Sequence, residues 1–183
     1  MPATSLRCRS CATEYALEDI GTCTACFGPL DPVYDWEALT RTITRETISA
    51  GPASIWRYAP FLPVEAPADI RLAPGFTPLV RAPRLADEVG VGELWLKLDT
   101  ANPTHSFKDR VVAVAAAKAR ELGIGTLACS STGNLANAVA ARAAAAWAAT
   151  ALARFPVDAQ ATVSYPSSFA LATATATTRS LKE

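Results

Sequence analysis

Asn102-Pro103-Thr104-His105-Ser106-Phe107-Lys108-Asp109-Arg110 stands between an apolar, strand-like run over residues 93–99 and a helix-like run over residues 111–118. Its lysine therefore falls near a helix start, beside a serine and an aromatic ring. A helix dipole disfavours a cation there. A lysine so placed can become nucleophilic enough to condense with an aldehyde. The plainer alternative is a surface lysine paired with Asp109. The residue types alone leave both open.

A second junction of the same kind lies downstream. Ser130-Ser131-Thr132-Gly133-Asn134 follows an apolar run over residues 126–129 and opens another helix-like stretch from about Leu135. Taken alone it could be an ordinary N-cap cluster. Its short side chains and open backbone at a helix start would equally suit an anion. Strand-helix-strand-helix at these intervals predicts parallel strands in an α/β layer. Both motifs would then sit at the C-terminal ends of strands, where open α/β sheets bind ligands.

The two motifs, in this order, resemble those of threonine synthases and their relatives in the tryptophan-synthase β-like group. The resemblance extends from about Leu6 to Ala146 and implies the N-terminal part of a fold-type-II pyridoxal-phosphate enzyme. On it, Lys108 would be the catalytic residue and would hold pyridoxal 5'-phosphate covalently. Asn134 would hydrogen-bond the cofactor's ring hydroxyl, while Ser131, Thr132 and Gly133 would receive the substrate carboxylate. Asp109 and Arg110 would fix the lysine loop, and His105 is not expected to act directly. Within the group the pattern fits threonine synthase, a lyase converting O-phosphohomoserine and water to threonine and phosphate. A threonine or serine dehydratase, or a cysteine-synthase-like lyase, shares the fold and the lysine. Full-length relatives are expected to be homodimers. Gly75-Phe76-Thr77-Pro78-Leu79-Val80 resembles the strand leading into the catalytic domain, with Phe76 where many relatives carry a second glycine.

Four of the five cysteines fall in two Cys-x-x-Cys pairs, Cys8/Cys11 and Cys23/Cys26. Each pair can turn two thiolates toward one tetrahedral ion, and two pairs complete a closed structural zinc site. A segment this small has too little core to fold without a staple. Disulfides need an oxidising compartment, which nothing in the sequence indicates; redox chemistry, or no metal, is the remaining reading. A non-catalytic zinc-ribbon module is thus the alternative from outside enzymology. The fifth, Cys129, lies in an apolar run and is expected to be a small buried residue.

The expected organisation is a zinc-ribbon-like segment (1–34), a helix and proline-rich arm (35–76), a partial pyridoxal-phosphate domain (77–146) and a low-complexity tail (147–183). A helix is expected over about 35–50, carrying Trp36, Leu39 and Ile43 on one side and stopped by Gly51-Pro52. Residues 52–83 hold seven of the thirteen prolines, which predicts an extended arm. In the tail, 20 of 37 residues are Ala, Thr or Ser and none is Gly. That composition predicts disorder, and a shift of reading frame near codon 146 would explain it. With the cofactor-phosphate loop of relatives not visible, low turnover is expected.

Acidic and basic residues balance, 17 against 17. That speaks against a nucleic-acid or membrane-surface partner, which would need a basic excess. With no long apolar run and no leader-like start, a cytoplasmic protein is expected.

Overall fold

The computed structural model describes residues 3–68, 72–124, 126–152, 161–164 and 171–174. The chain divides into two compact units, Met1–Asp69 with Val114–Gly125, and Ile70–Ala113 with Thr126–Glu183.

The first unit begins with an antiparallel sheet of β1 (Ala3–Cys8), β2 (Glu14–Tyr15) and β3 (Leu30–Tyr34), in the order β2-β1-β3. Charge pairs mark the register: Arg7 lies opposite Glu14 and binds it, and Arg9 grips Asp31 through a two-pronged contact. Such exposed pairs add little stability; here they select one alignment.

The single helix expected over 35–50 is two. α1 (Trp36–Thr42) starts on the Asp35 side chain, and α2 (Arg45–Ser49) starts on a reciprocal Thr44/Thr47 capping box. The break falls at Ile43, whose backbone is extended. Threonine competes for backbone groups in helix interiors and is strongly favoured at N-caps. Thr44 thus ends one helix by beginning another.

The proline-rich arm is more structured than expected. Ile55–Phe61 forms a 3-10 turn around buried Trp56, kinked at Tyr58 ahead of Pro60. The Tyr34 hydroxyl donates to the Phe61 carbonyl at 2.8 Å, tying the turn to β3.

In the second unit, β4 (Leu79–Arg81) and β5 (Trp95–Lys97) pair antiparallel around α3 (Pro83–Val89). Pro83 opens α3, and Gly90 closes it at φ 72°, the asymmetry expected of helix ends. A 3-10 turn (Asp99–Ala101) leads to α4 (Lys108–Glu121); then come β6 (Leu127–Ser130) and α5 (Asn134–Leu152). Val112 of α4 and Ala138 and Val139 of α5 form a buried cluster, with Leu127, Cys129 and Leu135 packed against it. The last turns of α4 belong to the first unit, where the Glu121 carboxylate accepts the Glu65 N–H.

Helices and strands alternate as expected of an α/β chain, but the described ladders are all antiparallel. β5 pairs with β4, and β6 pairs with β8 (Leu171–Ala174), which pairs with β7 (Ala161–Ser164). The parallel strands expected from the strand-helix-strand-helix pattern are corrected to that extent. α4 is long enough for a parallel crossover, yet β5 and β6 take other neighbours. The low-complexity tail departs from expectation too. α5 runs to Leu152 and two tail segments are strands, short alternations containing β-branched residues; the rest of the tail lies outside the described residues.

Candidate functional site

The lysine turn is held by buried polar side chains. Asn102, 2% exposed, accepts the Gly75 N–H at 2.9 Å and donates its amide to the Asp99 carbonyl at 2.7 Å. Buried Ser106 accepts the Lys108 N–H at 3.2 Å. The buried Asp109 carboxylate accepts both the N–H and the hydroxyl of Thr104, at 2.8 and 2.9 Å. Asp109 is therefore turned back into the turn and does not pair with Lys108.

One residue further, the Arg110 guanidinium forks onto Asp99 at 2.6 and 3.0 Å and reaches Thr77 at 3.3 Å. Lys97 donates to the Thr77 carbonyl. The Arg110 hydrogen bonds hold the Asp99 carboxyl below its ordinary range, and Asp99 in turn raises Arg110. His105 takes a left-handed backbone at φ 61°, and its Nδ1 bonds the Thr100 carbonyl at 2.9 Å. The histidine thus closes the turn. Phe76 also adopts φ 51°, a conformation that costs an L-residue about 1–2 kcal/mol relative to glycine.

Lys108 differs from the other described lysines. Lys97 bonds the Thr77 carbonyl and Lys118 pairs with Glu121 at 2.9 Å. The Lys108 ammonium lies over the Phe107 ring, 4.5 Å from its centroid. Among the described residues it has no oxygen partner.

Ser131 follows the end of β6, and Asn134 opens α5. The Gly133 N–H donates weakly to the Ser131 hydroxyl at 3.2 Å. Among the described residues beyond its chain neighbours, no atom stands within 4 Å of where a Cβ on Gly133 would be, so the backbone is open there. Side chains four apart share a helix face. Lys108 lies one turn before Val112, and Asn134 one turn before Ala138, two of the three residues of the buried cluster. Among the described residues no hydrogen bond joins Lys108 to residues 131–134. Cys129 packs against the cluster, and burial pushes its thiol up. Arg142 of α5 donates to the Leu72 carbonyl at 2.5 Å; burial lowers it, while Asp109 opposes the shift.

Sequence reasoning missed Asn102, Asp99 and Thr77 as parts of this turn. Asn102 heads the motif and could have been flagged as a small polar residue beside a proline. Asp99 and Thr77 reach Arg110 from 11 and 33 residues away, and no spacing rule marks such pairs.

In the first unit the sulfurs of Cys8, Cys11, Cys23 and Cys26 all lie within 4.8 Å of one another. Cys8 approaches Cys26 at 3.5 Å and Cys11 approaches Cys23 at 3.4 Å. Four sulfurs held at about 2.3 Å from a zinc ion would stand about 3.8 Å apart, so the donor set fits tetrahedral zinc. The two knuckles repeat one geometry. The Ala12 N–H bonds the Cys8 carbonyl at 3.0 Å and the Phe27 N–H bonds the Cys23 carbonyl at 2.8 Å. Both residues are left-handed, at φ 61° and 58°. Gly28 leaves room for the cluster: a Cβ there would stand 2.9 Å from the Cys8 sulfur and 2.7 Å from the Ser10 hydroxyl. The Tyr15 hydroxyl, at 3.0 Å, holds the Cys23 thiol down at about 6. Cys26 moves the other way: the Gly28 N–H opposes the rise, but the Cys11 and Cys8 thiols push it up to about 12. Thiols this close cannot all ionise without a cation among them.

Residues 70–160 match the family described as "Pyridoxal-phosphate dependent enzyme". That segment contains both motifs. The chain is also similar to threonine synthases. That of Methanosarcina acetivorans is 42% identical over 136 residues, covering 74% of this chain and 33% of the relative. That of Methanocaldococcus jannaschii is 38% identical over 136 residues, covering 74% and 34%. That of Halalkalibacterium halodurans is 46% identical over 95 residues, covering 48% and 26%. The chain spans about a third of the length of the first two relatives. No solved structure matches it significantly. The resemblance read from the two motifs thus stands. The family match also passes residue 146, where the resemblance was expected to stop. No described helix is long and apolar enough to cross a membrane.

Proposed function

We propose that this chain carries the cofactor-holding lysine of a threonine synthase, acting on O-phosphohomoserine to give threonine and phosphate. The observation that carries the reading is Lys108 itself. It is the described lysine without an oxygen partner, at the first residue of α4, in a turn held by Asn102, Asp109 and Arg110.

When bound, pyridoxal phosphate supplies an electron sink for chemistry at the substrate's carbons. Lys108 would hold it through its side-chain nitrogen, the atom that would also carry a proton for the reaction. The Phe107 ring covers one side of the Lys108 ammonium and limits water on that side. Asn134, on the helix that packs with α4, offers its amide to the cofactor's ring hydroxyl. Ser131, Thr132 and the open backbone at Gly133 receive the substrate carboxylate at the N-terminal end of α5, where helix geometry favours an anion. Arg110 and Asp109 do not touch substrate in this reading; they keep Lys108 in place. The fold would be that of fold-type-II enzymes, and the working protein a homodimer in the cytoplasm.

Cys8, Cys11, Cys23 and Cys26 hold one structural zinc ion in the same reading. The closed four-sulfur set leaves no position for a reactive water, so its part is stability.

The purified chain with pyridoxal phosphate should develop a visible absorption band. O-phosphohomoserine should perturb that band and homoserine should not. A band indifferent to O-phosphohomoserine, or the same in Lys108→Ala, would contradict the proposal.

A further inference from the structure

Each of the four clustered sulfurs meets a hydrogen-bond donor, Cys26 through the Gly28 N–H two residues on. The Cys8 sulfur meets the Ser10 and Cys11 N–H groups at 3.4 and 3.5 Å. The Cys11 sulfur meets the Thr13 hydroxyl at 3.2 Å. These donors come from the same knuckle as the sulfur they serve. Cys23 has such donors in the Ala25 and Cys26 N–H groups, and one more from outside its own knuckle: the hydroxyl of Tyr15, on β2, eight residues earlier, at 3.0 Å.

The direction of that bond follows from its neighbours. The Thr24 N–H donates to the Tyr15 oxygen at 3.1 Å and occupies a lone pair there. The phenol proton is left to choose between the Cys23 sulfur and the Thr24 hydroxyl at 3.2 Å. A metal-bound cysteine has lost its proton and can only accept, so the phenol donates to it. Groups that hydrogen-bond metal ligands fix the ligand's orientation and tune its charge. Tyr15 also joins the β1–β2 hairpin, which carries Cys8 and Cys11, to the knuckle carrying Cys23 and Cys26.

We infer that Tyr15 is a positioning residue of the metal site: its phenol holds the Cys23 sulfur in register across the two knuckles, and zinc is retained more tightly for it. The inference rests on the zinc reading of the four cysteines. No ligand is added by Tyr15; it acts through Cys23.

The test is zinc affinity, by competition with a chromophoric chelator, on the full chain and on Tyr15→Phe and Thr24→Val. The cobalt-substituted proteins give a second readout. Tyr15→Phe should lose about 10- to 100-fold in affinity. Its cobalt–thiolate charge-transfer band should move to lower energy, since a sulfur with one hydrogen-bond donor fewer gives up an electron more readily. Thr24→Val removes the competing hydroxyl and should bind zinc at least as tightly as the parent, with its band unmoved or shifted to higher energy. Equal affinity and an unshifted band in Tyr15→Phe would overturn the inference and leave the zinc reading intact. A loss in Thr24→Val equal to that in Tyr15→Phe would also overturn it, since the phenol would then merely be holding Thr24. A parent chain that takes up no zinc would overturn the metal reading itself, and the inference with it.

Discussion

The cysteine segment and the lysine turn face the same difficulty and meet it differently. Each must fix a few side chains to ångström precision with little apolar surface to do so. The cysteine segment gathers four sulfurs that repel one another when ionised, so its order depends on a cation from outside. The lysine turn satisfies itself: Asn102, Asp109, Ser106 and the Asp99–Arg110 fork each find protein partners. One site is completed by a metal and the other is built by its own hydrogen bonds. Removing an external component should therefore collapse the first and spare the second.

Metal removal should have the largest effect. Structural zinc in small peptides binds with an apparent roughly 10–16 kcal/mol, more than a segment of this size could otherwise supply. A strong chelator, or Cys23→Ala, should open residues 3–34 to protease while the second unit's cleavage pattern stays unchanged. Equal loss of protection in both units would break the comparison.

Next is Asn102→Ala. It leaves the Gly75 N–H and the Asp99 carbonyl without their side-chain partner at a buried position, at a cost of about 1–3 kcal/mol each. Thermal unfolding should register a loss of about 2–6 kcal/mol on that basis, with zinc content unchanged. A stability within error of the parent would show that the turn is not held from Asn102.

Acidification should separate the two sites in order. Metal binding needs deprotonated thiols, so zinc is released as falling pH protonates the cysteines. The Asp99 carboxyl is lowered below its ordinary 3.8 by Arg110. A carboxylate with a depressed folded value stabilises above the unfolded value and loses that contribution as pH falls through the folded one. The Asp99–Arg110 contact should therefore be lost only as pH falls below 3.8. Hydrogen exchange at Thr104 and Gly75, followed beside zinc release, checks the order; simultaneous loss would contradict it.

The smallest effects concern backbone strain. Phe76→Gly and Ala12→Gly relieve left-handed L-residues and should each raise stability by up to about 1 kcal/mol. Phe76→Gly should leave zinc affinity alone, and Ala12→Gly should leave Lys108 alone.

Much of this was legible in the sequence where the signal was local. The Cys-x-x-Cys pairs, Gly90 after α3, and the strand-to-helix junctions at Lys108 and Asn134 are fixed by residues a few positions apart. What was not legible depends on partners far apart in the chain. Neighbouring strands are chosen by long-range pairing, so the antiparallel ladders of β4, β5 and β6 could not be read from periods of two and 3.6. The Arg110–Asp99–Thr77 lattice joins three segments that no motif links. The break at Ile43 was local and could have been seen, because Thr44 and Thr47 are spaced as a capping box.

The most direct test of the central claim is to find where pyridoxal phosphate attaches. The chain contains four lysines, Lys97, Lys108, Lys118 and Lys182. After incubation with the cofactor, borohydride reduction and peptide mass mapping should place the label on Lys108, and Lys108→Ala should carry almost none. Label spread over Lys97, Lys118 and Lys182 as readily as Lys108, or undiminished in the variant, would contradict the account.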